Sequence, residues 1–142
     1  MQLMPRKAVL AIAAVVDVAL NSAERPVAAK ALAERHNLPA RHLEPVLQAL
    51  VHHDILEGVR GPHGGYILAR EQKRISAADI LRAANTVREE DDETDGSDDL
   101  IDRAVKPALA QAEQAFLEAL ERVSVEDMTY RAQSTGKKKH YG

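Results

Sequence analysis

Cysteine and tryptophan are absent from this chain of 142 residues, and aromatic side chains make up only 3% of it. Without cysteine there is no disulfide, no thiolate metal site and no cysteine nucleophile. With so few aromatics, a hydrophobic content of 45% must build its core from alanine, leucine, valine and isoleucine. Such small and aliphatic side chains suit closely packed helices. Long apolar runs are missing too: none reaches the ~18 residues that cross a bilayer. The stretch Ala8 to Val16 is apolar but too short, and reads as a buried helix. No N-terminal apolar segment with a cleavage site is recognisable. A soluble, cytoplasmic protein of one domain, or of a small domain with an appended element, is expected.

Motifs for catalysis are equally lacking. There is no Ser/His/Asp arrangement with a nucleophile turn, no phosphate loop and no helix with metal-ligand spacing. Gly61, Gly64 and Gly65 do not follow a buried strand and open a helix, which argues against a nucleotide loop. An enzyme is not expected.

Charge is present but unevenly spread. Residues 1–85 carry a net of +3 and residues 86–142 a net of −6, within an overall −3. Most of the acid lies in Glu89-Glu90-Asp91-Asp92-Glu93, with Asp95, Asp98, Asp99 and Asp102 beyond it. A run of like charge repels itself, so roughly 88–97 reads as a mobile, solvated loop. The mildly basic first half is compatible with nucleic acid without establishing it.

Apolar periodicity predicts a first helix from about Pro5 to Leu20, with Val9, Ile12, Ala13, Val16 and Leu20 on one face. A short helix follows over about Val27 to His36, carrying Ala28, Ala31 and Leu32 inward. Asn37-Leu38-Pro39 then turns into a third helix ending near Asp54, with Leu43, Val46, Leu47, Leu50 and Val51 toward the core. Two short helices joined this way form a helix-turn-helix layout. Pro45 kinks the third helix if that helix begins at Pro39, and costs little if it begins near Arg41.

The stretch Arg60-Gly61-Pro62-His63-Gly64-Gly65-Tyr66 is the most informative in the chain. Glycine allows backbone angles that other residues avoid, proline presets a turn, and Leu56/Val59 and Ile67/Leu68 flank it as strand formers. A hairpin over about 55–69 is expected, with Arg60 at its edge. Behind a helix-turn-helix, such a hairpin is a wing. The third helix would then offer Arg41 and His42 to the major groove, and Arg60 would reach the adjacent minor groove. A winged helix used for protein contact alone is the alternative. Further on, Ser76 and Asp79 stand in capping-box spacing for a fourth helix lined by Ile80, Leu81 and Ala84. A long helix over about 98–122 presents Val105, Leu109, Ala112, Phe116, Ala119 and Val123 at a 3.5-residue period. Pro107 bends or restarts it. The heptad spacing favours a dimer seam, the other choice being a helix folded back on its own domain. Thr135 to Gly142 reads as frayed.

These residues resemble the Rrf-two family of bacterial winged helix-turn-helix repressors, which includes the iron–sulphur cluster regulator. The likeness covers about 3–87 and again 98–130. It rests on Leu43-Glu44 with Val46-Leu47, on Gly58 through Arg70, and on Ile75-Ser76 with Ala78-Asp79-Ile80. The resemblance implies a mainly α fold: a winged helix-turn-helix domain (1–87) with a two-stranded hairpin, an acidic loop (88–97), a dimerisation helix region (98–130) and a disordered tail (131–142). It also implies a homodimer that grips a palindromic stretch of double-stranded DNA, probed by Arg41, His42 and Glu44 and by wing residues Arg60, Gly61 and His63. His42 stands where the family usually has Tyr, and Pro39 where a capping Ser is common, so base preference is expected to differ. Many members hold an iron–sulphur cluster on three cysteines in the loop after the fourth helix. Here that loop is acidic and cysteine-free, so cysteine cannot ligate a cluster, and no cofactor is expected. Histidine metal sites are disfavoured as well: His52 and His53 point about 100° apart on a helix, while His36 and His42 flank a turn across which they could approach one another. The effector is left open, and a ligand- or metal-responsive sensor is a further alternative.

Overall fold

A computed structural model of the chain describes residues 3–88 and 98–139, with side chains up to residue 135. The described elements are α1 (Arg6–Asn21), α2 (Ala29–Arg35), α3 (Ala40–His52), strands β1 (Leu56–Val59) and β2 (Gly65–Leu68), α4 (Ala77–Ala84), α5 (Lys106–Glu121) and α6 (Val125–Lys139). The fold is mainly α, with one antiparallel hairpin, as expected. The acidic loop lies outside the described residues except for Arg88.

One aliphatic core joins α1 through α4 to the start of α6. Val15, Val18, Leu32, Leu47, Leu50, Ile55, Leu56, Ile75, Ile80 and Val125 are fully buried in it. Helix α1 runs through the middle, against α3, α4, α6 and β2. That crowding overturns the expected orientation of α1. Its inward face is Ala8, Ala11, Ala14, Val15 and Val18, whereas Val9 is 40% and Leu20 36% exposed. Ile12, Ala13 and Val16 are only half-buried. Alanine lets several neighbours approach a central helix closely, so the small residues turn inward and the larger aliphatics are left outside. The face expected for α2 is corrected too: Ala28 precedes the helix and lies exposed, while Leu32 and Ala33 are buried.

The turns follow local chemistry. Asn37 takes a left-handed φ of 55° after α2, and the Leu38 amide donates back to the Ala33 carbonyl at 2.9 Å. Asp54 repeats the device after α3, with φ 59° and Ile55 N–H bonding the Leu50 carbonyl at 2.9 Å. Asparagine and aspartate tolerate this conformation better than branched residues, and the backward bonds satisfy the helix ends. Helix α4 has the expected capping box: Ser76 Oγ accepts from the Asp79 amide and Asp79 accepts from the Ser76 amide, both at 3.0 Å.

The long helix expected over about 98–122 is interrupted near its start, and a further helix follows its end. A π-helical turn over Ile101–Val105 precedes α5, where Lys106 N–H bonds the Ile101 carbonyl. Pro107, second in α5, has no N–H for a bond to Arg103, and the ladder restarts there as expected. At the other end, Arg122 to Ser124 separates α5 from α6, and the backbone expected to fray from Thr135 is helical to Lys139. Ser124 and Asp127 form a second capping box, with both bonds at 3.0 Å. Ala77 N–H donates to the Val123 carbonyl at 2.7 Å and Val125 N–H to the Ile75 carbonyl at 2.8 Å, tying the starts of α4 and α6 together.

Candidate nucleic-acid interface

Helices α2 and α3 and the hairpin converge on one side of the molecule. Leu43, Val46, Leu47 and Leu50 anchor α3 from below. Its opposite face carries Arg41, His42, Glu44, Pro45 and Gln48, all exposed. Because α3 starts at Ala40, Pro45 falls in its second turn, where it cannot donate to the Arg41 carbonyl. Its ring points outward, away from the core.

The hairpin pairs Leu56 with Leu68, Glu57 with Ile67, Gly58 with Tyr66, and Val59 with Gly65. Its tip is a turn closed by Gly64 N–H on the Gly61 carbonyl at 2.9 Å, with Pro62 and His63 at the corners. Gly61 sits at φ 118°, a region closed to side chains with a Cβ. The hairpin is also fastened to the chain entering α2. Val27 N–H donates to Tyr66 O at 3.0 Å and Tyr66 N–H to Val27 O at 2.8 Å. Gly65 permits this, since a Cβ there would overlap the Val27 carbonyl. The wing is therefore registered against the helix-turn-helix by backbone, not by side-chain packing alone.

A buried carboxylate holds α2 against α1. Asp17, 7% exposed, accepts from Arg35 Nε at 2.8 Å and Nη2 at 2.6 Å, from Asn21 Nδ2 at 3.1 Å, and lies 2.9 Å from His36 Nε2. Burial pushes the Asp17 carboxyl up, but the hydrogen bonds and charge of Arg35, with Asn21 and His36, outweigh it and hold the group below the usual carboxylate range. The Arg35 guanidinium is in turn held further toward its charged form by Asp17. His36 thus belongs to a structural cluster. It does not meet His42 across the turn.

The six residues singled out by sequence lie on α3 and on the wing. Arg41, His42 and Glu44 open α3, and Arg60, Gly61 and His63 form the wing tip, all of them exposed. Arg41 Nε approaches His42 Nε2 at 3.5 Å, and neither Arg41 nor Arg60 has a carboxylate partner among the described residues. Arg35, Arg70, Arg82 and Arg103 are by contrast engaged with acids. His52 and His53 meet edge-on, ring centroids 5.5 Å apart. Two features of the site were not singled out in the sequence. Gln48 lines a cleft between α3 and the wing, together with Val59, Arg60 and Gly64. Asp17 could have been noticed as the only acid in a long apolar helix.

Thiolate ligation of an iron–sulphur cluster does not fit a chain with no cysteine. Among the described residues, no group of three His, Asp or Glu side chains could hold a metal ion, and no helix is long and apolar enough to cross a membrane.

Comparison with known proteins agrees with this geometry. The family model Rrf2, described as iron-dependent transcriptional regulator, matches residues 4–131. A putative HTH-type transcriptional regulator of Synechocystis sp. is 33% identical over 124 residues, 87% of this chain and 84% of that protein. The solved structure of T. potens IscR superposes with a TM-score of 0.71 at 30% identity, covering 93% of this chain and 89% of that one. CymR of B. subtilis, at 23% identity, shares the fold with a TM-score of 0.70 over 92% of this chain and 98% of its own. The chain therefore belongs to the Rrf2 family and is a winged helix-turn-helix, DNA-binding transcriptional regulator.

Proposed function

We propose that this regulator is a cytoplasmic homodimer that represses transcription from a palindromic operator, without catalytic activity and without a cofactor. Each α3 start would enter a major groove, with Arg41, His42 and Glu44 at base edges or phosphates, while Arg60, Gly61 and His63 follow the flanking minor groove. The observation that carries this reading is the presence of two acid-free arginines, Arg41 at the start of α3 and Arg60 on a wing that the Val27–Tyr66 backbone bonds fasten to the chain entering α2. A phosphate meets no intramolecular competitor at either.

Two uncovered apolar surfaces support the homodimer. Leu100, Ile101 and Val105, in the turns leading into α5, and Leu109 within it are exposed, and Val9 and Leu20 flank the outer stripe of α1. An apolar face of this kind on a free-standing helix is normally covered by a partner. A twofold axis would cover both stretches at once and set two α3 helices toward one palindrome.

Random-site selection with the purified chain tests the reading. The expected result is an inverted repeat with half-sites about 10–10.5 bp apart, whose binding weakens steeply with salt. Failure to enrich any site beyond bulk DNA would favour a protein-contact module instead. Sedimentation equilibrium tests the dimer: the chain should sediment at twice its 15.5 kDa mass.

A further inference from the structure

We infer that Gln48 is a base-reading residue that selects adenine in the major groove, an inference that rests on the operator reading above. The rotation of α3 is fixed by Leu43, Val46, Leu47 and Leu50, so the direction of its outer face is not adjustable. On that face Gln48 stands seven positions after Arg41, which is almost two full turns. The two side chains therefore project along nearly the same line, about 10 Å apart. That separation corresponds to about three base-pair steps at ~3.4 Å each. If Arg41 meets one step of the groove, Gln48 meets another within the same half-site.

A residue this far into a recognition helix reads DNA only if the helix lies along the groove rather than end-on. The wing supplies that orientation. Gln48 shares an open cleft with Val59, Arg60 and Gly64, so it lies on the surface between the later part of α3 and the wing. Both flanking elements face DNA in the reading above, and Gln48 lies on the surface that joins them.

Its chemistry is also uncommitted. Gln72 accepts from Thr129 and Gln114 donates to Glu118, but the Gln48 carboxamide makes no hydrogen bond within the described residues. A carboxamide presents one donor and one acceptor side by side, the complement of adenine N7 and N6–H2. Guanine offers two acceptors on the same edge and leaves the carboxamide oxygen opposed to another oxygen. Pro45, between Arg41 and Gln48 on the exposed face, has a ring with no polar atom and does not compete for that edge.

The experiment is random-site selection in parallel with the wild-type chain, Gln48→Ala and Gln48→Arg, with thermal unfolding of each. Wild type should show an adenine preference at one position per half-site. Gln48→Ala should erase that preference alone and weaken the wild-type site by about 5- to 150-fold, the range for loss of one bidentate base contact. Gln48→Arg should move the preference at the same position to guanine. If both variants enrich the wild-type site unchanged, or lose affinity evenly at every position, the assignment to Gln48 is wrong while the operator reading stands. If the wild-type chain enriches no site, both fall together.

Discussion

The body formed by α1 to α4 and the first half of α5 contain the same kinds of aliphatic side chain and treat them in opposite ways. In the body, Leu32, Leu47, Leu50, Ile55 and Ile80 are wholly buried. From Asp98 to residue 115, every residue is exposed, and α5 meets the body through its second half, by Phe116, Leu117 and Leu120 and by the ion pair of Glu121 with Arg82. The body completes its burial within one chain, and the start of α5 does not. Apolar patterning alone therefore says that a surface will be covered, without saying by which molecule.

Truncation of a leucine in each region is the strongest way to break this contrast. Leu50→Ala should destabilise the fold by about 2–5 kcal/mol, because removal of a fully buried side chain leaves a cavity. Leu109→Ala, at a position 56% exposed, should stay within about 0.5 kcal/mol in samples dilute enough to be monomeric. The check is chemical denaturation of both variants over a range of protein concentration. Equal losses at high dilution would mean that the start of α5 packs on its own chain.

A smaller effect is expected at the polar cluster inside the body. Asp17→Ala should cost about 2–3 kcal/mol, less than a fully buried pair, because Arg35 is 44% exposed and can rehydrate. The pH dependence has a definite sign. Asp17 has its folded value depressed, so its stabilisation is present above the unfolded value of about 3.9 and is lost as pH falls through the folded value. Asp127, held low by its hydrogen bonds with Ser124, acts in the same direction. Acid titration monitored by circular dichroism should show wild-type stability falling below about pH 4, with a shallower fall in Asp17→Ala. A slope unchanged by that substitution would remove Asp17 from the account.

A cap lies lower again. Ser76→Ala should cost about 1 kcal/mol, as for other helix N-caps. Thermal unfolding should detect it, and a neutral result would mean that the backbone link from Ala77 to Val123 already secures the start of α4.

Those same residues mark what could be read in advance. Ser76 and Asp79 announced α4 because a capping box is local in sequence. The wing was legible for the same reason: Gly61, Pro62 and Gly65 meet backbone demands that few other residues can meet. The inward face of α1 was not legible. Its heavier stripe, Val9, Ile12, Val16 and Leu20, has the stronger period, and only the crowding by α3, α4 and α6 turns the alanines inward. Ser124 and Asp127 carry the same spacing as Ser76 and Asp79, a local signal for the start of α6 beyond the helix expected over 98–122. Gln48 was legible only with the rotation of α3 and the placement of the wing together.

The smallest expected effect on stability belongs to the residue with the largest expected role in binding. Arg60 is exposed, has no acid partner among the described residues and follows the end of β1, so its truncation removes no packing. Arg60→Ala should therefore unfold within about 0.5 kcal/mol of wild type. Its affinity for the selected operator should nonetheless fall by about 1–3 kcal/mol at matched salt. Arginine in a narrow minor groove gains from the enhanced negative potential there, so the loss should be greater on operators with A·T-rich flanks than on G·C-rich ones. A uniform loss across flanks would reduce Arg60 to a phosphate contact, and unchanged affinity would detach the wing from DNA altogether. Either outcome would sharpen the contrast between what the body needs to fold and what its surface needs to bind.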